Sequence, residues 1–161
     1  MLLEDDKKLI SDLEHVLQLS ETDMTIFFRE LSKIKKQDSE EIMLSIIFPA
    51  FYHSEEIASE SIQKQWKNWL VNYSIRLQKE EQSDAERKER MNQINPKYVL
   101  RNYMAQLAID AANNDDYSVI DELYQLLKKP YDEQPEQEKW FAKRPDWARK
   151  KIGCSMLSCS S

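Results

Sequence analysis

Apolar side chains recur every three or four residues along most of the chain, which places them on one face of successive α-helices. The first stripe comprises Leu9, Leu13, Val16 and Leu17. A second helix is expected over residues 23–34, with these side chains inward: Ile26, Phe27, Leu31 and Ile34. A short third helix should begin at Asp38 or Ser39, with Glu41 completing a capping box. Pro49 should end or kink that helix.

The longest helix is expected over residues 56–81. Its apolar face comprises Ile62, Trp66, Trp69, Leu70, Tyr73 and Leu77. Aromatic side chains at this spacing are usually core residues, so we interpret them as packing rather than as a ligand site. Ser83 is suited to cap the charged segment 85–94 that follows.

The pair Asn95-Pro96 is typical of a helix start, because asparagine is a good N-cap and proline a good first helical residue. A helix to about Ala112 should follow, lined by Tyr98, Val99, Tyr103, Leu107 and Ile109. Residues 113–116 read as a turn. A last helix should start at Ser118 and end before Pro130.

The pattern changes after Pro130, where prolines alternate with large apolar rings: Tyr131, Trp140, Phe141 and Trp147. We interpret residues 130–148 as an extended aromatic strap and residues 149–161 as a flexible tail. The sequence thus predicts an all-α fold, an irregular bundle of about six helices in a helical domain of residues 1–129, followed by the strap and the tail.

Glycine occurs once, at Gly153, although average usage would place on the order of ten in a chain of this length. Phosphate-binding loops need several glycines, so P-loop, Rossmann and kinase-type glycine-rich loops are excluded. The net charge of −6 argues against a nucleic-acid partner. The longest apolar run, residues 42–52, is too short to span a membrane.

Candidate ligands are few. The histidines are His15 and His53, and neither belongs to a metal-ligand spacing, so we interpret both as solvated or core-edge residues. Residues 113–116 lack the glycine and glutamate of a calcium loop. Arg101 and Asn102 lie beside tyrosines, and we favour a structural role for them over binding an anionic ligand.

The two cysteines, Cys154 and Cys159, both lie in the last eight residues. This distribution differs from a secreted disulfide scaffold and favours a reducing cytoplasm. The cations at residues 149–151 precede Cys154, and nearby positive charge favours the reactive thiolate. We therefore treat both cysteines as candidate redox residues, with inertness as the alternative.

The segment Asn95-Pro-Lys-Tyr-Val-Leu-Arg-Asn-Tyr-Met-Ala-Gln106 closely resembles a signature of the SelO family, also called YdiU. The similarity continues through residues 108–112, 116–118, 129–131 and 144–147. Residues 25–32 and 69–77 are similar too, as is the ending, residues 158–161. The resemblance covers most of the chain and is most specific over residues 95–147.

This resemblance implies the C-terminal region of a kinase-like, pseudokinase fold that transfers AMP, or UMP in bacterial members, from a nucleoside triphosphate to Ser, Thr or Tyr of proteins. ATP and Mg²⁺ or Mn²⁺ are implied for the whole family protein. The family's final cysteine matches Cys159, which implies a redox role, with Cys154 the less favoured partner. The catalytic and metal-binding residues have no matching positions here, so no catalytic, cofactor-binding or metal residue is assigned. We expect a bacterial, cytoplasmic protein.

Three functional hypotheses follow. The chain is first interpreted as a C-terminal fragment of a SelO-like protein adenylyltransferase, structural or regulatory in role and inactive without the missing N-terminal kinase-like half. The second is a helical interaction module that docks onto a separately encoded catalytic half. The third is a stand-alone thiol-redox function of the tail. Apolar surfaces that normally face the missing half should favour self-association.

Overall fold

The computed structural model describes residues 4–151, and the regular structure in this range is helical, apart from one isolated bridge between Thr22 and Phe51. The α-helices of this range are Glu4–Leu17 (α1), Met24–Leu31 (α2), Glu40–Ile47 (α3), Ser54–Ile57 (α4), Glu60–Gln78 (α5), Asp84–Ile94 (α6), Asn102–Ala112 (α7), Ser118–Leu127 (α8) and Asp146–Lys150 (α9). Short 3₁₀ helices span Phe48–Ala50 and Pro135–Trp140. The predicted all-α class is confirmed.

The chain forms two compact units, which meet in sequence between Asn95 and Pro96. The first unit contains α1 to α6 and the second contains α7 to α9. This division falls earlier than the end of the helical domain expected over residues 1–129. None of the helices within residues 4–151 is both long enough and apolar enough to cross a membrane.

Aromatic rings hold the first unit together at the contact between α2 and α5. The Phe27 ring centroid lies 5.7 Å from that of Trp66 and 6.2 Å from that of Trp69. The Phe51 ring also packs against Trp66, with ring centroids 5.1 Å apart. α1 joins this core where the Trp69 indole N–H donates to the Leu9 carbonyl at 3.0 Å. The predicted apolar face of α5 is therefore the core.

The end of α2 and the start of the long helix differ from the expected boundaries, whereas the cap of α3 is one of the two that were predicted. α2 ends at Leu31, although Ile34 is buried as predicted. α3 is capped by Ser39, whose side chain accepts from the Ile42 N–H, so Glu41 does not occupy the capping-box position. The long helix begins at Glu60 rather than residue 56, because α4 is a separate turn that ends before it.

Buried cations anchor α6, whose sequence is mostly charged. Arg87 is only 2% exposed; its guanidinium donates to Asp84 at 2.6 Å and also to the Ile34 carbonyl. Arg29 of α2 donates to the carbonyls of Asn92 and Asn95, both at 3.0 Å. These bonds satisfy carbonyls at the end of α6 that lack intrahelical partners. They explain why a helix with little apolar surface packs firmly.

The second unit is built around a core formed by α7, α8, α9 and the 3₁₀ helix Pro135–Trp140. Its buried members are Tyr98, Tyr103, Met104, Ala108, Leu123, Leu126, Trp140 and Ala148. The predicted helix start at Pro96 is wrong, since α7 begins at Asn102. The buried face also differs from the expected one, because Met104 and Ala108 are buried whereas Leu107 and Ile109 are exposed.

The segment expected to be an extended strap is partly helical, because it contains the 3₁₀ helix and the start of α9. Of its four rings, Trp140 and Phe141 pack in the core of the second unit, whereas Tyr131 and Trp147 are 45% and 42% exposed. Trp140 is buried and its indole N–H donates to Glu122 at 3.1 Å, while Trp147 meets Tyr103 edge to face at 6.4 Å. The flexible tail predicted over residues 149–161 lies mostly outside the described residues.

Candidate functional site

The second unit contains a buried lysine, Lys97, within the sequence signature. Lys97 is 6% exposed, and its ammonium donates to Glu138 at 2.6 Å, to the Glu133 carboxylate at 3.0 Å and to the Glu133 carbonyl at 3.0 Å. The rings of Tyr98 and Phe141 flank the ammonium at 5.5 and 5.2 Å. Two carboxylates and two aromatic faces therefore compensate the buried positive charge.

The backbone places this lysine against the chain that follows α8. The N–H groups of Lys97 and Tyr98 donate to the Pro130 carbonyl at 2.8 and 3.1 Å. The Tyr98 hydroxyl reaches the carbonyls of Glu133 and Gln134, at 2.8 and 3.1 Å. Residues 97 and 98 thus fasten the turn at residues 130–134 with both backbone and side-chain bonds.

Gln134 explains why this turn needs such support. Its φ of 39° lies in the left-handed region, which is unfavourable for a residue with a Cβ atom. The Gln134 side chain donates to the carbonyls of Leu126 and Lys129, at 3.1 and 2.8 Å. Together with the Tyr98 hydroxyl, these bonds hold a backbone conformation that would otherwise be sparsely populated.

The protonation of the site follows from these contacts. Burial lowers the pKa of Lys97, but hydrogen bonds to Glu138 and Glu133 outweigh it, so the net pKa is raised. Burial raises the pKa of Tyr98 as well, although the Lys97 charge opposes the shift. At neutral pH the site therefore contains an ammonium and a neutral phenol.

This arrangement binds protein groups rather than a substrate. All three ammonium protons of Lys97 are matched by acceptors within the protein, and the Tyr98 hydroxyl is aimed at two carbonyls. A catalytic lysine needs a lowered pKa or a donor directed at a ligand, and Lys97 has neither. We interpret the cluster of Lys97, Tyr98, Glu133 and Glu138 as a clamp, and we call it the Lys97 clamp.

The other candidates are Arg101 in the second unit and His15 and His53 in the first. Arg101 precedes α7 as its N-cap residue, and its carbonyl accepts from the N–H groups of Met104 and Ala105. His15 is exposed at the end of α1, and His53 lies 3.5 Å from a Glu21 oxygen. Cys154 and Cys159, the predicted redox residues, lie outside the described residues, so their role stays a prediction.

The turn over residues 113–116 forms as expected between α7 and α8. The Asn114 side chain donates to the Asp110 carbonyl at 2.9 Å, and Asp116 accepts from the Ser118 N–H at 2.9 Å. Asp115 adopts a left-handed φ of 58°. As predicted, α8 begins at Ser118. Its N-cap residue is Tyr117.

Sequence reasoning missed the clamp, although its motif residues were recognised. The chain separates Lys97 from Glu133 and Glu138, so no local spacing indicates that the three meet. The available signal was a lysine expected on a helix between Pro96 and Tyr98, followed far downstream by an acidic stretch over residues 132–138. Residues 96–101 follow a non-helical path, and only this path shows that Lys97 lies beside Glu133 and Glu138.

Comparison with known proteins adds an independent observation. A model of the SelO family, described as Protein adenylyltransferase SelO, matches residues 2–128. A protein nucleotidyltransferase YdiU of Flavobacterium johnsoniae is 64% identical over 158 residues, which cover 98% of this chain and 30% of that protein. The YdiU proteins of Tolumonas auensis and Rhodopirellula baltica are 47% and 44% identical, with 99% and 98% of this chain covered.

Only part of each relative is matched by this chain. The chain spans about 30% of the length of these relatives. The matched region nevertheless includes almost every residue of this chain, and the signature that contributes Lys97 and Tyr98 lies within it. This chain therefore belongs to the SelO family, and corresponds in extent to a fragment of the full-length proteins.

Proposed function

We propose that this chain is the helical C-terminal part of a SelO-family protein nucleotidyltransferase, and that it contributes architecture to the whole enzyme rather than catalysis. The observation that carries the proposal is the extent of the match, which covers 98% of this chain and 30% of a relative named as a nucleotidyltransferase. Activity, substrates and partners belong to the longer protein. In that protein the activity is transfer of AMP, or UMP, to protein hydroxyls.

The residues present do not fit a nucleotide–metal site. Within residues 4–151, no group of three His, Cys, Asp or Glu side chains is arranged to hold a metal ion. Transfer from a nucleoside triphosphate relies on metals and basic donors around the phosphates. Lys97 cannot serve as such a donor, since its protons are bound by the clamp. We therefore derive no reaction step from this chain.

The architectural role rests on the way the signature is used. In the second unit, the Lys97 clamp joins the segment before α7 to the turn after α8, and Tyr98 is buried in the same core. Residues of a specific sequence motif are thus committed to fixing the backbone. This use supports a scaffold that presents a defined surface to the rest of the enzyme.

A nucleotide-transfer assay with two matched proteins tests the proposal. The first is this chain alone. The second is a full-length chimera, in which this chain replaces the matched region of the Flavobacterium johnsoniae protein. Each is incubated with α-labelled ATP or UTP, Mg²⁺ or Mn²⁺ and a protein acceptor.

We expect label on protein with the chimera and none above background with the chain. Substantial transfer by the chain alone would refute the architectural assignment. A chimera that folds, as judged by its circular dichroism and melting curve, but transfers no label would refute the assignment to a nucleotidyltransferase. The unmodified relative is the positive control.

We further propose that the terminal cysteines act in redox control of the whole enzyme. The proposal is supported by Cys159 in the ending that resembles the family and by the cations at residues 149–151. Mass spectrometry of the chimera after mild oxidation should detect a disulfide that includes Cys159. A chimera in which Cys159 stays a free thiol under conditions that oxidise glutathione would refute this role.

A further inference from the structure

The first unit has an open groove of about 520 Å³ between α3, α4 and the start of α5. Its floor is apolar, formed by Leu44, Phe48, Ile57 and Ala58. Leu44 and Ile57 are buried and belong to the core, whereas Phe48 is 43% exposed and Ala58 is exposed. A concave, mostly apolar lining that includes a partly exposed large ring is suited to receive an apolar segment.

The groove is framed by fixed elements. Pro49 follows the exposed Phe48 inside the 3₁₀ helix, which fixes the backbone at the end of α3. At one edge, the Lys67 ammonium of α5 pairs with Glu41 of α3 at 3.2 Å, so the two walls are joined by an ion pair. Gln63, Ser45 and Ser54 complete the polar rim. The proline and the ion pair both restrict the walls of the groove, although an exposed ion pair contributes little on its own.

The two charged side chains that line the groove, Glu41 and Lys67, pair with each other, so the net charge comes from the helices around it. Two lysines, Lys64 and Lys67, lie in the first turns of α5. The carboxylates of the same helices outnumber them and are Glu40, Glu41, Glu55, Glu56 and Glu60. An apolar floor within an acidic surround favours a segment that combines apolar side chains with lysine or arginine, because complementary charge orients the encounter.

We infer that this groove receives an apolar, basic segment from the part of the full-length enzyme that this chain lacks. The inference rests on the proposed function, which places this chain in a protein about three times as long, of which it spans about 30%. The missing length is ample to supply a covering segment. The acidic surround selects a segment with basic side chains, and the apolar floor receives its apolar face.

Access to Ala58 provides the first test. Ala58→Cys is placed in a background of Cys154→Ser and Cys159→Ser, both in this chain and in the chimera described above. Ala58 is a small exposed residue of the groove, so the new thiol should react freely with a maleimide in the isolated chain. In the chimera the reaction should be slower by about tenfold or more, because the segment covers the groove.

Lys88→Cys, on the exposed side of α6, is the matched control and should react equally fast in both proteins. Equal labelling of Ala58→Cys in the isolated chain and in an active chimera would overturn the inference and leave the proposed function intact. Labelling that stays fast in a chimera without transfer activity would count against both. Equal protection of the two thiols would also overturn the inference, since it would indicate a general loss of access.

The charge preference is tested with the isolated chain and two synthetic amphipathic helical peptides, one of leucine and lysine and one of leucine and glutamate. Fluorescence anisotropy should give a dissociation constant roughly tenfold lower for the leucine–lysine peptide. Phe48→Gln and, separately, Ala58→Gln should each weaken that binding by about tenfold, because each puts a neutral polar side chain into the apolar lining. Equal affinity for the two peptides would overturn the assigned chemistry.

Ile75→Gln is the control for the peptide experiment, because Ile75 is an exposed apolar residue of α5 that does not line the groove. It should leave the affinity unchanged. Binding that is weakened equally in Ile75→Gln and Phe48→Gln would place the peptide elsewhere and overturn the inference.

Sedimentation at increasing protein concentration tests a different occupant of the groove. Self-association that is abolished by Phe48→Gln would assign the groove to a second copy of the chain and overturn the inference.

Discussion

Lys97 is a buried cation whose position is fixed by three hydrogen bonds and two aromatic faces. Its partners Glu133 and Glu138 are more than half exposed, so only one side of each ion pair is desolvated. Such a pair avoids the full penalty of a buried salt bridge while keeping good geometry. At this scale the signature residues act on the backbone, because they fasten a strained turn.

Replacing Lys97 by methionine should destabilise the second unit by roughly 1–3 kcal/mol, because the turn loses charge-assisted bonds while the apolar stem is kept. Urea unfolding at pH 7 measures the change. Lys129→Met is the control, since Lys129 is exposed in the same unit, and should stay within about 0.5 kcal/mol. A Lys97→Met variant as stable as the control would contradict the clamp.

The pH dependence of the same variant follows from the raised pKa of Lys97. A raised folded-state pKa contributes stability that is complete below the unfolded value, about 10.4, and is lost as pH rises through the folded pKa. The difference in unfolding free energy between wild type and Lys97→Met should therefore be constant from pH 7 to 9. It should shrink at higher pH.

Tyr73 gives a second prediction at the residue scale. Burial against the stacked Trp69 ring, with centroids 5.3 Å apart, raises the pKa of Tyr73 to about 12. The unfolded chain ionises near pH 10, so the folded state retains the proton between these values and stability falls with rising pH. The decrease in unfolding free energy between pH 10 and 12 should therefore be smaller in Tyr73→Phe than in the wild type, by up to roughly 2 kcal/mol.

The measurement is chemical unfolding of the wild type and Tyr73→Phe at matched pH values, because the two proteins differ only at Tyr73. Tyr124→Phe serves as the control, since the Tyr124 side chain is 62% exposed. It should reproduce the alkaline loss of the wild type. If Tyr73→Phe loses as much stability between pH 10 and 12 as the wild type, then the Tyr73 phenol does not cause that loss.

At the scale of helices, some local capping signals predict where a helix begins, and others are outweighed by long-range contacts. The capping prediction at Ser83 is confirmed, because its side chain and Glu86 form reciprocal bonds to each other's backbone N–H groups. The start signal at Asn95-Pro96 is equally regular but is overruled. There the backbone N–H groups of Lys97 and Tyr98 pair with the Pro130 carbonyl, a long-range contact that no local pattern encodes.

Ser83→Ala should therefore lower stability by about 1 kcal/mol, because α6 loses the acceptor for the Glu86 N–H. Ser61→Ala, in the first turn of α5, is the control and should have little effect. The Ser83 hydroxyl and backbone also lower the pKa of Glu86, so part of the capping effect is present at neutral pH and lost as pH falls through that lowered pKa. Thermal unfolding at pH 7 and pH 3 measures both; equal effects at the two values would contradict the box.

Across the whole molecule, local sequence patterns predict some features of the structure and not others. The helical class, the aromatic core of α5 and the turn at residues 113–116 could be predicted, because each depends on spacing within a few residues. The Lys97 clamp, the buried Arg87 and the groove beside Phe48 could not. Each of these joins residues far apart in sequence, and a polar side chain gives no sign that its partner lies on another element.

Exposed apolar side chains predict how the isolated chain behaves in solution. Tyr117, Ile120 and Tyr124 recur at intervals of three and four residues along α8, and all are largely exposed. The opposite side of α8 fills the core of the second unit with Leu123 and Leu126. A helix that is apolar on two faces usually has a partner on the second face, and without it the chain should self-associate.

Sedimentation equilibrium should accordingly show a concentration-dependent mass above 19.2 kDa for the isolated chain. Ile120→Asp with Tyr124→Asp should lower the association constant by about tenfold, because two charges would have to be buried. Gln125→Asp with Gln93→Asp makes the same change of net charge at exposed, uncharged polar positions and should change the association constant far less. A mass of 19.2 kDa at every concentration would show that the exposed apolar face of α8 does not drive self-association. Equal weakening by both pairs would show that net charge, rather than this face, governs the association.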